Sequence, residues 1–152
     1  MANDNFFKRI FSGIGKYFRD AFGKARKVAQ DVIPVGIEVV EKIKLVIDSP
    51  LAPLLTALIP GQVDDLVAAK IKEHLPAILI QLKIADECSK KKSNDEVIQC
   101  ALAHLREYHP NARKAYFLNI ASMLSAALAD GKLSWAEIVM ITQYTYENRY
   151  NK

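Results

Sequence analysis

A chain of 152 residues, 51% hydrophobic and 25% charged, can bury one ordinary core and needs no second domain, and it is too apolar to remain wholly disordered. Its formal charge of +4 is unevenly placed: residues 1–30 hold seven basic groups against two acidic ones, a net +5, and the other 122 residues hold 14 against 15, a net −1. A basic N-terminal fifth in front of a neutral body points to an anionic partner for that segment.

Lys8, Arg9 and Lys16 interrupt the apolar positions near the start, so no secretory signal is read there and a cytosolic origin is expected. The longest charge-free window, Ser49 to Val63, is short and carries Pro50, Pro53 and Pro60, so no transmembrane segment is expected either.

In chain order, Phe7, Phe11, Ile14, Phe18, Ala21, Phe22, Ala25, Val28, Ala29 and Val32 lay one apolar stripe along a helix. Lys8, Arg9, Lys16, Arg19 and Lys24 fall largely off that stripe, which predicts a basic amphipathic helix. Its docking residues would be Phe7, Lys8, Arg9, Phe11, Ile14, Lys16, Phe18, Arg19, Phe22 and Lys24. Gly13, Gly15 and Gly23 weaken it by roughly 1 kcal/mol each relative to Ala, so a partner surface would help it form. Pro34 and Gly36 are read as its end, dividing the chain into a helical arm at 1–33 and a helical bundle at 34–152.

A second helix is predicted from Val35 to Ile47. Asp48-Ser49-Pro50 reads as the start of a short helix ending at Ile59, before the Pro60-Gly61 break. Asp64 and Asp65 open a helix to Leu75, and Pro76 is read as a turn or kink before the run Ala77–Ile84. After the Lys90-Lys91-Lys92 loop, Ser93 with Glu96 is a capping box for a helix through Leu105. Pro110 starts another to Ala129, and Ser134 with Glu137 caps the last, through Tyr146. No period-two alternation is present. The fold class is therefore all-α, a single compact multi-helix bundle of seven or eight helices led by the basic amphipathic one, with a core including Leu54, Leu58, Leu79, Leu102, Leu105, Leu118, Leu124 and Ile138.

Chemistry-bearing patterns are sparse. Asp130-Gly131 with Glu137 resembles the second half of a calcium loop, but Ala126 and Leu128 stand where the first oxygen ligands belong, so a capped helix-turn-helix is the better reading. Cys88, Cys100, His104 and His109 lack the short knuckle of structural zinc sites. Unlinked buried thiols rank first for the cysteines, a disulfide bracing the lysine loop second and zinc last, so no metal or cofactor is expected. No phosphate loop, dinucleotide fingerprint, metalloprotease helix or nucleophile elbow occurs, and His74 reads as a partly exposed residue at a helix end, so no enzyme is expected. Trp135, Tyr144, Tyr146, Arg149 and Tyr150 either divide between core and scattered surface or form a subunit interface.

Residues 47–148 resemble small helical proteins of phages and prophages of gut Bacteroidetes, including crAss-like phages. The resemblance lies in Asp48-Ser49-Pro50, Thr56-Ala57-Leu58-Ile59-Pro60-Gly61, Glu87-Cys88, Gln99-Cys100-Ala101 and Ala129-Asp130-Gly131-Lys132-Leu133-Ser134-Trp135. It implies a virion or assembly role in the virion or host cytoplasm and no reaction. The expected partners are other protein subunits, with homo-oligomerisation. The alternative is a peripheral membrane protein of lysis or genome entry acting on an anionic inner-membrane surface, because Phe6-Phe7-Lys8-Arg9-Ile10-Phe11 and Gly13-Ile14-Gly15-Lys16 have the pattern of interfacial peptides. DNA ranks behind both, since a phosphate backbone leaves the phenylalanine stripe uncovered.

Overall fold

Helix α1 (Phe22–Ile47) begins the part of the chain that the computed structural model describes, which is the backbone of residues 22–49 and 53–150 and the side chains of 27–49 and 53–148. Four more α-helices follow: α2 (Asp65–Gln81), α3 (Asn94–Arg106), α4 (Pro110–Ala129) and α5 (Trp135–Tyr150). Two 3₁₀ turns, Leu55–Leu58 and Asp86–Lys90, lie on either side of α2. No strand occurs among the described residues, and the helices pack as one all-α bundle.

The starts of α2, α3 and α5 are where the local signals place them. The Val67 amide donates to Asp64 Oδ1 at 2.8 Å and the Glu96 amide to Ser93 Oγ at 3.1 Å. At α5 the capping box is reciprocal, with the Glu137 amide donating to Ser134 Oγ at 3.2 Å and the Ser134 amide to Glu137 Oε1 at 3.0 Å. Asp130 and Gly131 take positive φ of 54° and 80°, which closes the α4–α5 hairpin.

The prolines do not act as expected. Pro34 lies inside α1 and Pro76 inside α2, and both helices run through them. An internal proline costs a helix about 3 kcal/mol, whereas each large buried apolar side chain returns roughly 1.5–3 kcal/mol. Val32, Ile33, Ile37, Val39, Val40 and Ile43 surround Pro34, and Ile71, Leu75, Ile78 and Leu79 surround Pro76, all buried, so tertiary burial wins at both. The expected helix end at Pro34 is thereby corrected, and α1 is the central helix, packed on α4, α5, α3 and the first 3₁₀ turn.

Gly36 is correspondingly not a terminator. It sits inside α1 where that helix meets α4, and a Cβ there would lie 2.5 Å from Ser125 Oγ and 2.7 Å from the Ala121 carbonyl oxygen. The absent side chain lets the two backbones approach.

Among the expected core residues, Leu58, Leu79, Leu102, Leu105, Leu124 and Ile138 are buried and Leu118 is partly buried. Leu54 is 47% exposed, a correction. The short helix expected to end at Ile59 is only a 3₁₀ turn over Leu55–Leu58, preceded by extended backbone at Leu54, so Leu55 takes the inward place. The Leu55 amide donates to Asp95 Oδ1 at 2.9 Å, and the Arg106 guanidinium donates to the Ile47 and Ser49 carbonyls, covering the C-terminus of α1. The start expected at Pro50 lies outside the described residues.

Candidate functional site

Helix α5 divides into two faces. Ile138, Ile141, Thr142, Thr145 and Tyr146 point into the bundle. On the other side Trp135, Val139, Met140, Gln143, Tyr144 and Glu147 line a shallow open groove along the helix. Trp135 is 51% exposed and Tyr144 38%, so this outer face offers aromatic surface with a carboxylate at its far end. Large, stiff aromatics with a polar tip are what protein interfaces favour.

Of the expected interface residues, Trp135 and Tyr144 therefore share one face, and Tyr146 does not. At 3% exposure Tyr146 is a core residue, and Lys44 Nζ sits 4.5 Å from its ring centroid and 5.7 Å from that of Phe117. Lys44 also pairs with Glu41 at 3.3 Å. Burial pushes the Lys44 ammonium down, but its contacts with Tyr146 and then Glu41 outweigh that, and its pKa lies above the ordinary lysine value. Arg149 and Tyr150 belong to the last turn of α5, with side chains outside the described set. The same holds for Phe22 and Lys24 in α1, and Phe7, Lys8, Arg9, Phe11, Ile14, Lys16, Phe18 and Arg19 lie outside the described residues altogether.

The direction of α1 follows from its contacts. Gly36 meets Ala121 and Ser125, and Lys44 meets Phe117 and Tyr146, so α1 runs antiparallel to α4 and parallel to α5. Its start is thus directed toward the end of the bundle that holds the Asp130–Ser134 turn and Trp135.

A second cluster forms where the Asp86–Lys90 turn folds against α3. Cys88 and Cys100 are joined in a disulfide, with 5.5 Å between their Cα atoms, so the expectation of unlinked thiols is corrected. The signal that sequence reading lacked was long-range, since nothing in the intervening residues fixes the turn against the helix. His104, one turn beyond Cys100, pairs through Nε2 with the Glu87 carboxylate. His109 is elsewhere, capping α4 by accepting from the Asn111 amide at 3.1 Å. His74 lies within α2 rather than at its end. Asp130 is the C-cap of α4, and the Glu137 carboxylate is engaged at the N-terminus of α5.

No protein-family model, curated protein or solved structure matches this chain. Among the described residues, no helix is long and apolar enough to cross a membrane.

Proposed function

We propose that the chain is a non-enzymatic assembly protein of a phage-like particle, in which the basic amphipathic N-terminal segment of one copy docks along the outer face of α5 of another. The observation that carries this reading is the aromatic α5 groove around Trp135. The phage setting comes from the resemblance of residues 47–148 described above.

Length, chemistry and geometry support this occupant. From Trp135 to Glu147 the groove covers about 18 Å of helix, and the stripe from Phe7 to Phe18 covers about 16 Å in helical form, at a rise of about 1.5 Å per residue. Phenylalanines would meet Trp135, Val139, Met140 and Tyr144, while the segment's +5 charge would meet a body of −1 with Glu147 at the groove's end. Covering the exposed half of Trp135 removes on the order of 100 Å² from water, about 2–3 kcal/mol.

Docking between copies fits better than docking within one. Measured from the level where Lys44 meets Tyr146, Phe22 lies roughly 33 Å along α1 and Trp135 roughly 16 Å along α5. The start of α1 thus passes the near end of its own groove by about 17 Å, so only a reversal of the chain there would return the segment toward it.

Trp135 is the single tryptophan, so its emission reports directly on the face. In a dilution series of the full chain, emission should shift to the blue as mass, measured by light scattering, rises with concentration. Phe11→Ser with Phe18→Ser should abolish both changes at any salt, and Lys16→Gln with Arg19→Gln should weaken them mainly at low salt. A blue shift with unchanged mass would overturn docking between copies. A blue shift obtained only with anionic phospholipid vesicles would establish the membrane alternative instead.

A further inference from the structure

We propose that reducing the Cys88–Cys100 disulfide turns the cleft between the Asp86–Lys90 turn and α3 into a binding site for one thiophilic divalent cation of the zinc class, with Cys88, Cys100 and His104 as ligands and Glu87 as the fourth. Cys88 comes from the Asp86–Lys90 turn and Cys100 and His104 from α3, yet their ligand atoms all lie within 4.8 Å of one another. Tetrahedral zinc with Zn–S near 2.3 Å and Zn–N near 2.0–2.1 Å places neighbouring ligand atoms roughly 3.5–3.8 Å apart. Once the S–S bond is broken, the sulfurs need only separate to that distance, and the histidine is already within reach.

The surroundings suit the ion. Cys100 and His104 are four residues apart on α3 and so share one helix face. The Glu87 carboxylate, already paired with His104 Nε2, is beside the position the metal would take. The cleft is open, lined by Glu87, Lys91, Glu96, Gln99, Cys100 and His104, which gives an entry path from solvent. Cys88, 2% exposed, is buried behind the lining and bonded to Cys100. Soft sulfur with one imidazole and one carboxylate selects zinc-like cations over magnesium or calcium.

The balance is simple. A cellular dithiol delivers two electrons and two protons, leaving as its own disulfide, and the Cys88–Cys100 bond becomes two thiols. Binding of the cation then displaces both thiol protons to solvent. The oxidised chain, its sulfurs bonded to each other, has no thiolate to offer, so the site is present only in reducing surroundings.

The test uses the full chain, reduced with a phosphine, freed of reductant without oxygen, and titrated with Co²⁺ and separately with Zn²⁺. The reduced chain should take up one Co²⁺ with a thiolate-to-cobalt charge-transfer band and tetrahedral visible bands, and Zn²⁺ should bleach them and raise its Tm. The oxidised chain should show neither. His104→Ala, which leaves the disulfide intact for purification, should weaken Co²⁺ binding by more than the roughly 10–100-fold typical of losing an outer-shell partner, and His109→Ala should leave it unchanged. The proposal is overturned if the reduced chain shows no charge-transfer band. Equal Co²⁺ affinity in Cys88→Ser with Cys100→Ser overturns it too, as does Zn²⁺ uptake with no rise in Tm, which indicates binding to unfolded chain.

Discussion

Replacing Gly36 by Ala separates two readings of α1 by the sign of the effect. If Gly36 were an ordinary, uncrowded helical glycine, alanine would stabilise the chain by about 1 kcal/mol through helix propensity. In the structure the new Cβ would lie 2.5 Å from Ser125 Oγ and 2.7 Å from the Ala121 carbonyl oxygen, distances at which something must move. The hydroxyl cannot swing away freely, because it donates to the Ala121 carbonyl at 2.7 Å, and the carbonyl belongs to the α4 backbone. Overpacking costs typically about 1–3 kcal/mol, and a backbone contact on a central helix belongs at the upper end. After subtracting the propensity gain, Gly36→Ala should destabilise the chain by about 2 kcal/mol and lower Tm by about 4–8 °C for a chain of this size. Urea unfolding followed by far-ultraviolet circular dichroism measures this. Ser125→Ala removes the Oγ contact and leaves the carbonyl, so in a double-mutant cycle it should recover part of the loss and not all of it. A Gly36→Ala chain as stable as the parent, or more so, would refute the close approach of α1 and α4.

Leu124→Ala should cost about 2–5 kcal/mol in the same urea assay because Leu124 is fully buried, whereas Leu54→Ala should change stability by less than about 1 kcal/mol. Thr142 is fully buried and its hydroxyl has no hydrogen-bond partner among the described residues, so Thr142→Val should raise stability by about 1 kcal/mol. The raised pKa of Lys44 means that its stabilisation is complete below the ordinary value of 10.5 and is lost as pH rises through the higher folded value. Lys44→Met should therefore be less stable than the parent at neutral pH, by about 1 kcal/mol or less, with the gap in Tm closing above pH 10.5.

The features that sequence reading placed correctly are those fixed within a few residues. Asp64, Ser93 and Ser134 hydrogen-bond three residues ahead, so the pattern that predicts each cap also builds it. Pro34 and Pro76 were misleading because their local cost is outweighed by side chains buried against other helices, which a linear pattern does not reveal. Leu54 and Leu55 are adjacent leucines that read alike, and the Leu55 amide is held by the Asp95 carboxylate forty residues on, a contact no local pattern shows. Within the candidate site, the apolar and polar residues of α5 alternate too evenly to show which aromatics face out, so Trp135, Tyr144 and Tyr146 read alike. The packing of α5 against the bundle separates them, burying Tyr146 beside Lys44 of α1 and leaving Trp135 and Tyr144 exposed.

The placement of α1 at the centre of the bundle also has a consequence for biosynthesis. Its principal partners, α4 and α5, begin at Pro110 and Trp135, so the residues that cover its valines and isoleucines leave the ribosome last. At about 5–20 residues per second, roughly 5–20 s separate completion of α1 from completion of α5. Until α5 is made, α1, already broken in its ladder by Pro34, can pack only on the first 3₁₀ turn, α3 and α4, and a nascent chain cut short before α5 would leave its α5-facing side exposed. Premature termination after α4 should therefore yield an insoluble, chaperone-bound product rather than a smaller folded one.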